Sequence, residues 1–293
     1  MSISQSVSVS APLKLSLLRA DLNTQRNNHV LKPIELPETE ASSQIETLHC
    51  GRVCEDHMRE ARLIQYSLLP TACLLDRCIE IAFRFNPFFQ VGGDFVDFFR
   101  LPDGLIGLYL GDVVGKGLSA TMYGALVMGV LRGIHKSDTD TATVLSLLNE
   151  RLLQRPLPGR FCSTLYAVFD PSTRTLAFSN AGLPFPLHAS ATQCQHLGQG
   201  GLPSGLVASA TYDQHIVQLS PGDAVLFATD GLHESLNPEG IEFCSTRMPE
   251  LWAQCQLKSA TDSLDHLFDG LQAFSNGTLP HDDITAVVLK ELT

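Results

Sequence analysis

Four acidic landmarks constrain this chain more than any other feature: Asp94 in VGGDF, Asp112 in LYLGDVVGKG, Asp230 in VLFATDG and the Asp282-Asp283 pair in PHDDITAVVL. Each stands beside glycine or at the edge of an apolar, strand-like run. A strand end fixes a side chain far better than a loose loop does. Carboxylates fixed that way, with glycine letting backbone carbonyls come close, suit a hard divalent cation, which takes oxygen ligands and keeps several waters. The chemistry they imply is a two-metal hydrolase site assembled from distant parts of one chain.

Composition narrows the setting. The 293 residues suffice for one large domain or two small ones. A hydrophobic content of 44% with 22 Gly and 16 Pro excludes wholesale disorder. The net charge of −11 argues against nucleic acid and against an anionic membrane surface, since both select basic faces. The eight cysteines show no regular disulfide spacing and read as reduced thiols of a cytoplasmic protein. The cluster His49, Cys50, Cys54 and His57 resembles a zinc site superficially, but its spacing fits no common structural-zinc pattern. No run of 18 apolar residues is present, and the N-terminus lacks a basic segment followed by an apolar core. Neither a spanning helix nor a secretory signal is expected.

Three regions are expected along the chain. Residues 1–44 are rich in Ser, Asn, Pro and Glu and read as a flexible tail, within which Leu13 to Leu22 is a short apolar patch suited to a partner. Residues 45–70 read as an amphipathic lead-in helix carrying Leu48, Val53, Met58, Ala61, Ile64 and Leu68, stopped by Pro70. Such a helix either joins the core of the following domain or pairs with a second copy as a dimer linker. Residues 71–293 read as the catalytic domain. Strands are expected at 79–85, 95–101, 105–110, 212–219, 224–229 and 284–291, with a hairpin of 162–170 and 175–179 across Pro171. Helices are expected from Leu118 to Gly133, from Ala142 to Leu153, and around 246–256 and 262–274. On the first of these, Leu118, Met122, Ala125, Leu126, Gly129, Val130 and Gly133 form a small-residue face suited to packing on a sheet. Strands in runs with helices in pairs favour an α+β fold.

The strings VGGDFVDFF, GDVVGKGLSATMYGAL, FCSTLYAVFDP, FSNAGLPFPL, GDAVLFATDGLHES and PHDDITAVVLKEL, in this order, resemble the SpoIIE/RsbU-like metal-dependent phosphatases, relatives of protein phosphatase 2C. The resemblance runs from about Ala61 to the C-terminus. It implies an antiparallel β-sandwich flanked by helices, α-β-β-α in layers, with two Mn²⁺ or Mg²⁺ ions at one edge. By motif match Asp112 would bridge both ions. Asp94 and the carbonyl of Val113 would hold one, and Asp230 with Asp282 the other. Asp283 would orient Asp282 or hold a metal-bound water. The implied activity is hydrolysis of phosphoserine or phosphothreonine in a protein by a metal-bridged hydroxide. The implied substrate is a phosphorylated small antagonist of an anti-sigma factor or a similar partner-switching protein, and an activating partner could bind the tail or helix.

Elementary chemistry agrees with the implied reaction. Two cations about 3.5–4 Å apart activate water and neutralise charge building on a phosphoryl group, so no protein nucleophile is needed. None is evident: the one Cys-x5-Arg spacing, Cys78 to Arg84, falls on the strand expected at 79–85 and not in a loop, and there is no Gly-x-Ser-x-Gly elbow. Around the landmarks, Gly92 and Gly93 would allow backbone approach, and Gly115 and Gly117 a turn into the next helix. Asp97 is either a partner of the ligands or a solvated acid. Lys116 is either a point charge for phosphate or a solvated loop residue. Leu183 stands where the family turn Asn180-Ala181-Gly182 usually continues with histidine. Glu234 reads as structural, and His233 and His281 as incidental. Two rival functions remain: a phosphoprotein-binding pseudophosphatase, and a two-metal hydrolase of small phosphate esters.

Overall fold

The computed structural model describes residues 44–135, 140–245 and 247–292, with side chains from 54 onward. The expected flexible tail, its Leu13–Leu22 patch, and the side chains of His49 and Cys50 lie outside the described residues. Helix α1 spans Gln44–Leu68, and the compact unit begins within it at Leu48. Strands β1 (Leu74–Leu75), β2 (Ile79–Asn86), β3 (Phe95–Arg100) and β4 (Ile106–Val113) precede α2 (Leu118–Ile134) and α3 (Thr141–Gln154). The hairpin β5 (Cys162–Asp170) and β6 (Thr175–Ala181) leads to β7 (Leu187–Ala189), β8 (Cys194–His196), β9 (His215–Gln218) and β10 (Ala224–Ala228). The one-turn α4 (Asp230–His233), then α5 (Arg247–Ala253) and α6 (Ala260–Ser275), come before the closing strand β11 (Ile284–Glu291).

Two antiparallel sheets result, ordered β1-β2-β11-β10-β7-β8 and β3-β4-β5-β6-β9. Period-two alternation sends the residues of each strand to opposite faces. From β10 and β11, Val225, Phe227, Val287 and Leu289 join Val96, Leu108, Leu165 and Phe178 of the other sheet in the buried layer between them. Their neighbours Leu226, Ala228, Ala286 and Val288 pack outward on Trp252, Leu264, Leu267 and Phe268 of α5 and α6. On the other side, Phe95, Tyr109 and Tyr166 pack against Tyr123, Val127, Leu131, Val144 and Leu148 of α2 and α3. The layers are therefore α-β-β-α, as the α+β expectation had it. Caps hold the helix starts: Asp140 accepts from the Thr143 amide, and Ser259 from that of Asp262.

Two faces differ from expectation. On α2 the sheet-facing side chains are Ala120, Tyr123, Val127 and Leu131, whereas Met122 and Leu126 are exposed at 67% and 51%. Both faces are apolar, so periodicity alone could not choose between them. Close approach chooses, because a Cβ on Gly124 would stand 3.0 Å from the Gly93 carbonyl oxygen. On α1, Ile64 is exposed and Gln65 is buried. The amide of Gln65 is satisfied in both directions by the backbone of Gly92, donating to its oxygen at 2.8 Å and accepting from its nitrogen at 3.2 Å. A buried polar group fully bonded in this way avoids the desolvation penalty.

Candidate active site

The landmarks meet at one edge of the sandwich, with contributions from both sheets. Register pairs Phe95 with Gly111, which sets Asp94, at the entry to β3, opposite Asp112 near the end of β4. In the other sheet Ala228 pairs with Ala286, so Asp230 just beyond β10 lies beside Asp282 and Asp283 just before β11. Side-chain bonds join the two sheets here. Thr229 and Thr285 both donate to Asp94 Oδ2, at 2.9 and 2.6 Å. The Thr229 hydroxyl in turn accepts the Thr285 amide at 3.0 Å.

Asp283 has a different role from its neighbour. Its two oxygens accept the Phe88 and Gly93 amides at 2.7 and 2.6 Å, which ties the loop ahead of Asp94 to the start of β11. The side chain lies against Gly92, where a Cβ would come within 2.7 Å of three of its atoms. Asp282 instead faces outward, one-third exposed, with Oδ2 2.9 Å from Lys116 Nζ. Val113 is buried, and its carbonyl oxygen stands 3.0 Å from where a Gly93 Cβ would be.

The electrostatics are those of like charges forced together. Burial, then the charges of Asp94, Asp230 and Asp282, push the Asp112 carboxyl up to about 10. Burial, then Glu234 and Asp282, push Asp230 up to about 6. Burial, then Asp283, hold Asp94 well above the ordinary carboxylate range, against the lowering effect of the two threonine hydroxyls. Asp94 Oδ1 is buried and has no hydrogen-bond partner among the described residues. Buried acceptors without partners are rare in folded proteins.

Among the described residues, no three His, Cys, Asp or Glu side chains form a ready-made cage for a metal ion. The reason is local: Asp283 is bonded to backbone amides, Asp282 is paired with Lys116, and one Asp94 oxygen is held by threonines. The donor set nonetheless fits Mn²⁺ or Mg²⁺. It is made of hard carboxylate oxygens, it carries an uncompensated buried acceptor, and its mutual repulsion is what a cation relieves. A surface depression of 480 Å³ between residues 69–74 and 97–100 is lined by none of these carboxylates.

The remaining candidates have definite places. Asp97 accepts from Tyr109 and, twice, from Arg132, whose guanidinium also donates to the Leu68 carbonyl at the end of α1. It is thus a structural anchor, neither a solvated acid nor a neighbour of the ligand candidates. Leu183 is buried in the layer between the sheets, in a turn that Asn180 closes through its side-chain amide. His233 is half-buried, with Nδ1 3.3 Å from the Thr229 carbonyl, and desolvation lowers it to about 4. Glu234 is exposed. Gly115 and Gly117 adopt φ of 103° and 68°, where residues with a Cβ are strained.

Sequence reasoning missed Thr229, Thr285 and Arg160. The threonines sit one residue before Asp230 and two after Asp283, but only the β10–β11 register reveals that both reach Asp94. Arg160 donates to the Val114 carbonyl and to Ser119 Oγ, bracing the loop after Asp112. A lone arginine before FCSTL gave no signal.

Fold and site together define a protein phosphatase 2C-like domain. The SiaA protein phosphatase 2C domain of Pseudomonas aeruginosa superposes with a TM-score of 0.73 at 20% identity, covering 82% of this chain and 98% of that one. The phosphatase domain of SpoIIE from Bacillus subtilis, with a fragment of its regulatory domain, gives 0.64 at 19%, covering 72% and 63%. Residues 102–291 match the model of the stage II sporulation protein E (SpoIIE) family, and the chain belongs to that family. The match takes in Asp112, Asp230, Asp282 and Asp283 and begins after Asp94. Curated relatives include protein IcfG of Synechocystis, 23% identical over 84% of this chain and 44% of its own length. The phosphoserine phosphatase RsbU of Bacillus subtilis is 23% identical over 78% of this chain and 68% of itself. The chain thus spans less than half the length of the first of these relatives. No described helix is long and apolar enough to cross a membrane.

Proposed function

We propose that this chain is a metal-dependent phosphatase that hydrolyses phosphoserine or phosphothreonine in a protein. The observation that carries the reading is the largely buried cluster of Asp94, Asp112 and Asp230, raised by burial and by the acids around them, with an oxygen on Asp94 that has no partner among the described residues. Such a cluster costs stability on its own and is retained where its charge is put to use. Asp94, Asp112 and the Val113 carbonyl would hold one cation, and Asp112, Asp230 and Asp282 the second. When bound, two divalent cations supply charge neutralisation at the phosphoryl group and an activated water.

The chain's own residues prepare that chemistry. Thr229 and Thr285 fix the Asp94 carboxylate from one side, leaving Oδ1 free to bind. Asp283 positions Asp94 by holding the 88–93 loop, and Gln65 grips the same loop from α1. Arg160 braces the 113–119 loop and brings positive charge beside the acidic edge, where an anionic substrate must approach. The relative named a phosphoserine phosphatase supports a phosphoprotein substrate. Within that class we favour a phosphorylated antagonist of an anti-sigma factor. We further propose the division into tail, lead-in helix and catalytic domain, with α1 open to a second copy or an activating partner, and a cytoplasmic location.

Phosphate release from a phosphoserine protein, with Mn²⁺ or EDTA, tests the reading against Asp112→Asn and Asp230→Asn. Turnover that needs the metal and is lost in both folded variants supports it. A folded wild type that releases no phosphate with any divalent metal, but still binds the phosphoprotein, points to a pseudophosphatase. Strong preference for a small ester over a phosphoprotein points to the other hydrolase.

A further inference from the structure

The geometry points to Lys116 as an internal counter-ion that a divalent cation must displace from Asp282, so that this lysine sets the cation concentration at which the centre fills. The inference rests on the assignment of Asp282 as a ligand. Lys116 Nζ lies 2.9 Å from Asp282 Oδ2, donates to the His281 carbonyl and sits 5.0 Å from the centroid of the Phe88 ring. Carboxylate, carbonyl and aromatic face therefore receive the ammonium together, and a wholly solvated loop lysine would have none of them. The loop conformation that presents it needs its two flanking glycines, both at positive φ.

The surrounding charge explains why a cation is placed there. Asp282 raises the carboxyls of both Asp112 and Asp230, so its neutralisation eases the repulsion across the whole edge. Lys116 thus does part of a metal ion's work. A metal ion and an ammonium that share one carboxylate oxygen compete for it, and binding of the ion must include the cost of breaking the pair. Both partners are about one-third exposed, so that cost is modest. Once displaced, the ammonium stays tethered beside the centre as a free donor.

Titration calorimetry of the full chain with Mn²⁺, without substrate, reads the effect directly. Lys116→Met and Lys116→Gln are expected to tighten the weaker Mn²⁺ site about threefold to fivefold, and Lys116→Arg to stay near wild type. Labelling of Lys116 by an amine-acylating reagent, read by mass spectrometry, is expected to rise when Mn²⁺ is added. Unchanged or weaker Mn²⁺ affinity in the Met and Gln variants overturns the inference while leaving the metal centre in place. A wild type that binds no Mn²⁺ overturns the metal centre itself, and the inference with it.

Discussion

Strands β10 and β11 carry buried charge at both ends, and the two ends handle it in opposite ways. At the far end Glu291, with no exposed surface, pairs with Arg174 at 3.0 Å, and Asp223 pairs with His188 at the same distance. There Lys290 donates to the carbonyls of Gly222 and Gln256. Each acid has a basic group within ion-pair distance, although neither Glu291 oxygen has a hydrogen bond among the described residues, and the cluster serves the fold. At the near end Asp94, Asp112 and Asp230 face one another, while the Lys116 ammonium is taken up by Asp282. The same two strands thus show that buried charge by itself says little. What marks a working site is charge whose balance must come from outside the chain.

The sharpest way to break the contrast is to remove a charge from the near end. Asp112→Asn should lower phosphate release by at least roughly a hundredfold, the scale of losing one preorganised electrostatic element. In EDTA the same variant should melt at a higher temperature than wild type, because it relieves repulsion. The sign for pH follows from the raised carboxyl. Between the unfolded value near 4 and about 10, the folded protein holds more protons than the unfolded chain, so this group costs stability as pH rises. Metal-free wild type should therefore gain stability from this group as pH falls from 8 to 5. Thermal melts across that range should show the trend flattened in Asp112→Asn.

Balancing charge from outside should do the reverse of EDTA. Mn²⁺ at a hundred times its dissociation constant should stabilise the wild type by about 2.7 kcal/mol per site, read as a shift in melting temperature. Asp230→Asn should lose a large part of that shift. At the far end Arg174→Ala should cost about 1–2 kcal/mol in urea unfolding, discounted because the arginine is 41% exposed, with kcat unchanged. A loss of turnover there would break the distinction between the ends. The smallest effect is expected for Thr229→Val, which removes one hydroxyl from Asp94. It should cost about 1 kcal/mol of stability and weaken Mn²⁺ binding, as calorimetry would record.

Strand-end aspartates were legible because apolar runs on either side announce where a strand stops, and the order of those runs carried the layered fold. Three short strands, β1, β7 and β8, were not, since two or three residues cannot display a period of two. The turn α4 was likewise invisible, because its four residues follow directly from a strand. The packing face of α2 was misjudged since apolar residues ring the helix, and a glycine contact across space settles the matter. Among site residues, the carboxylates could be named from their neighbours in sequence. Their partners could not: Gln65, Thr229, Thr285 and Arg160 act over 27, 135, 191 and 46 positions.

Strand β11 lies between β2 and β10, and it pairs with β2 along its whole length, from Ile284 with Asn86 to Glu291 with Ile79. That pairing joins the opening strands of the domain to its closing one, a separation that makes for slow folding. A ribosome that has not yet released Ile284 holds a chain with a split sheet and no complete acidic edge. The acidic edge can therefore close only once β11 has emerged and paired with β2 and β10.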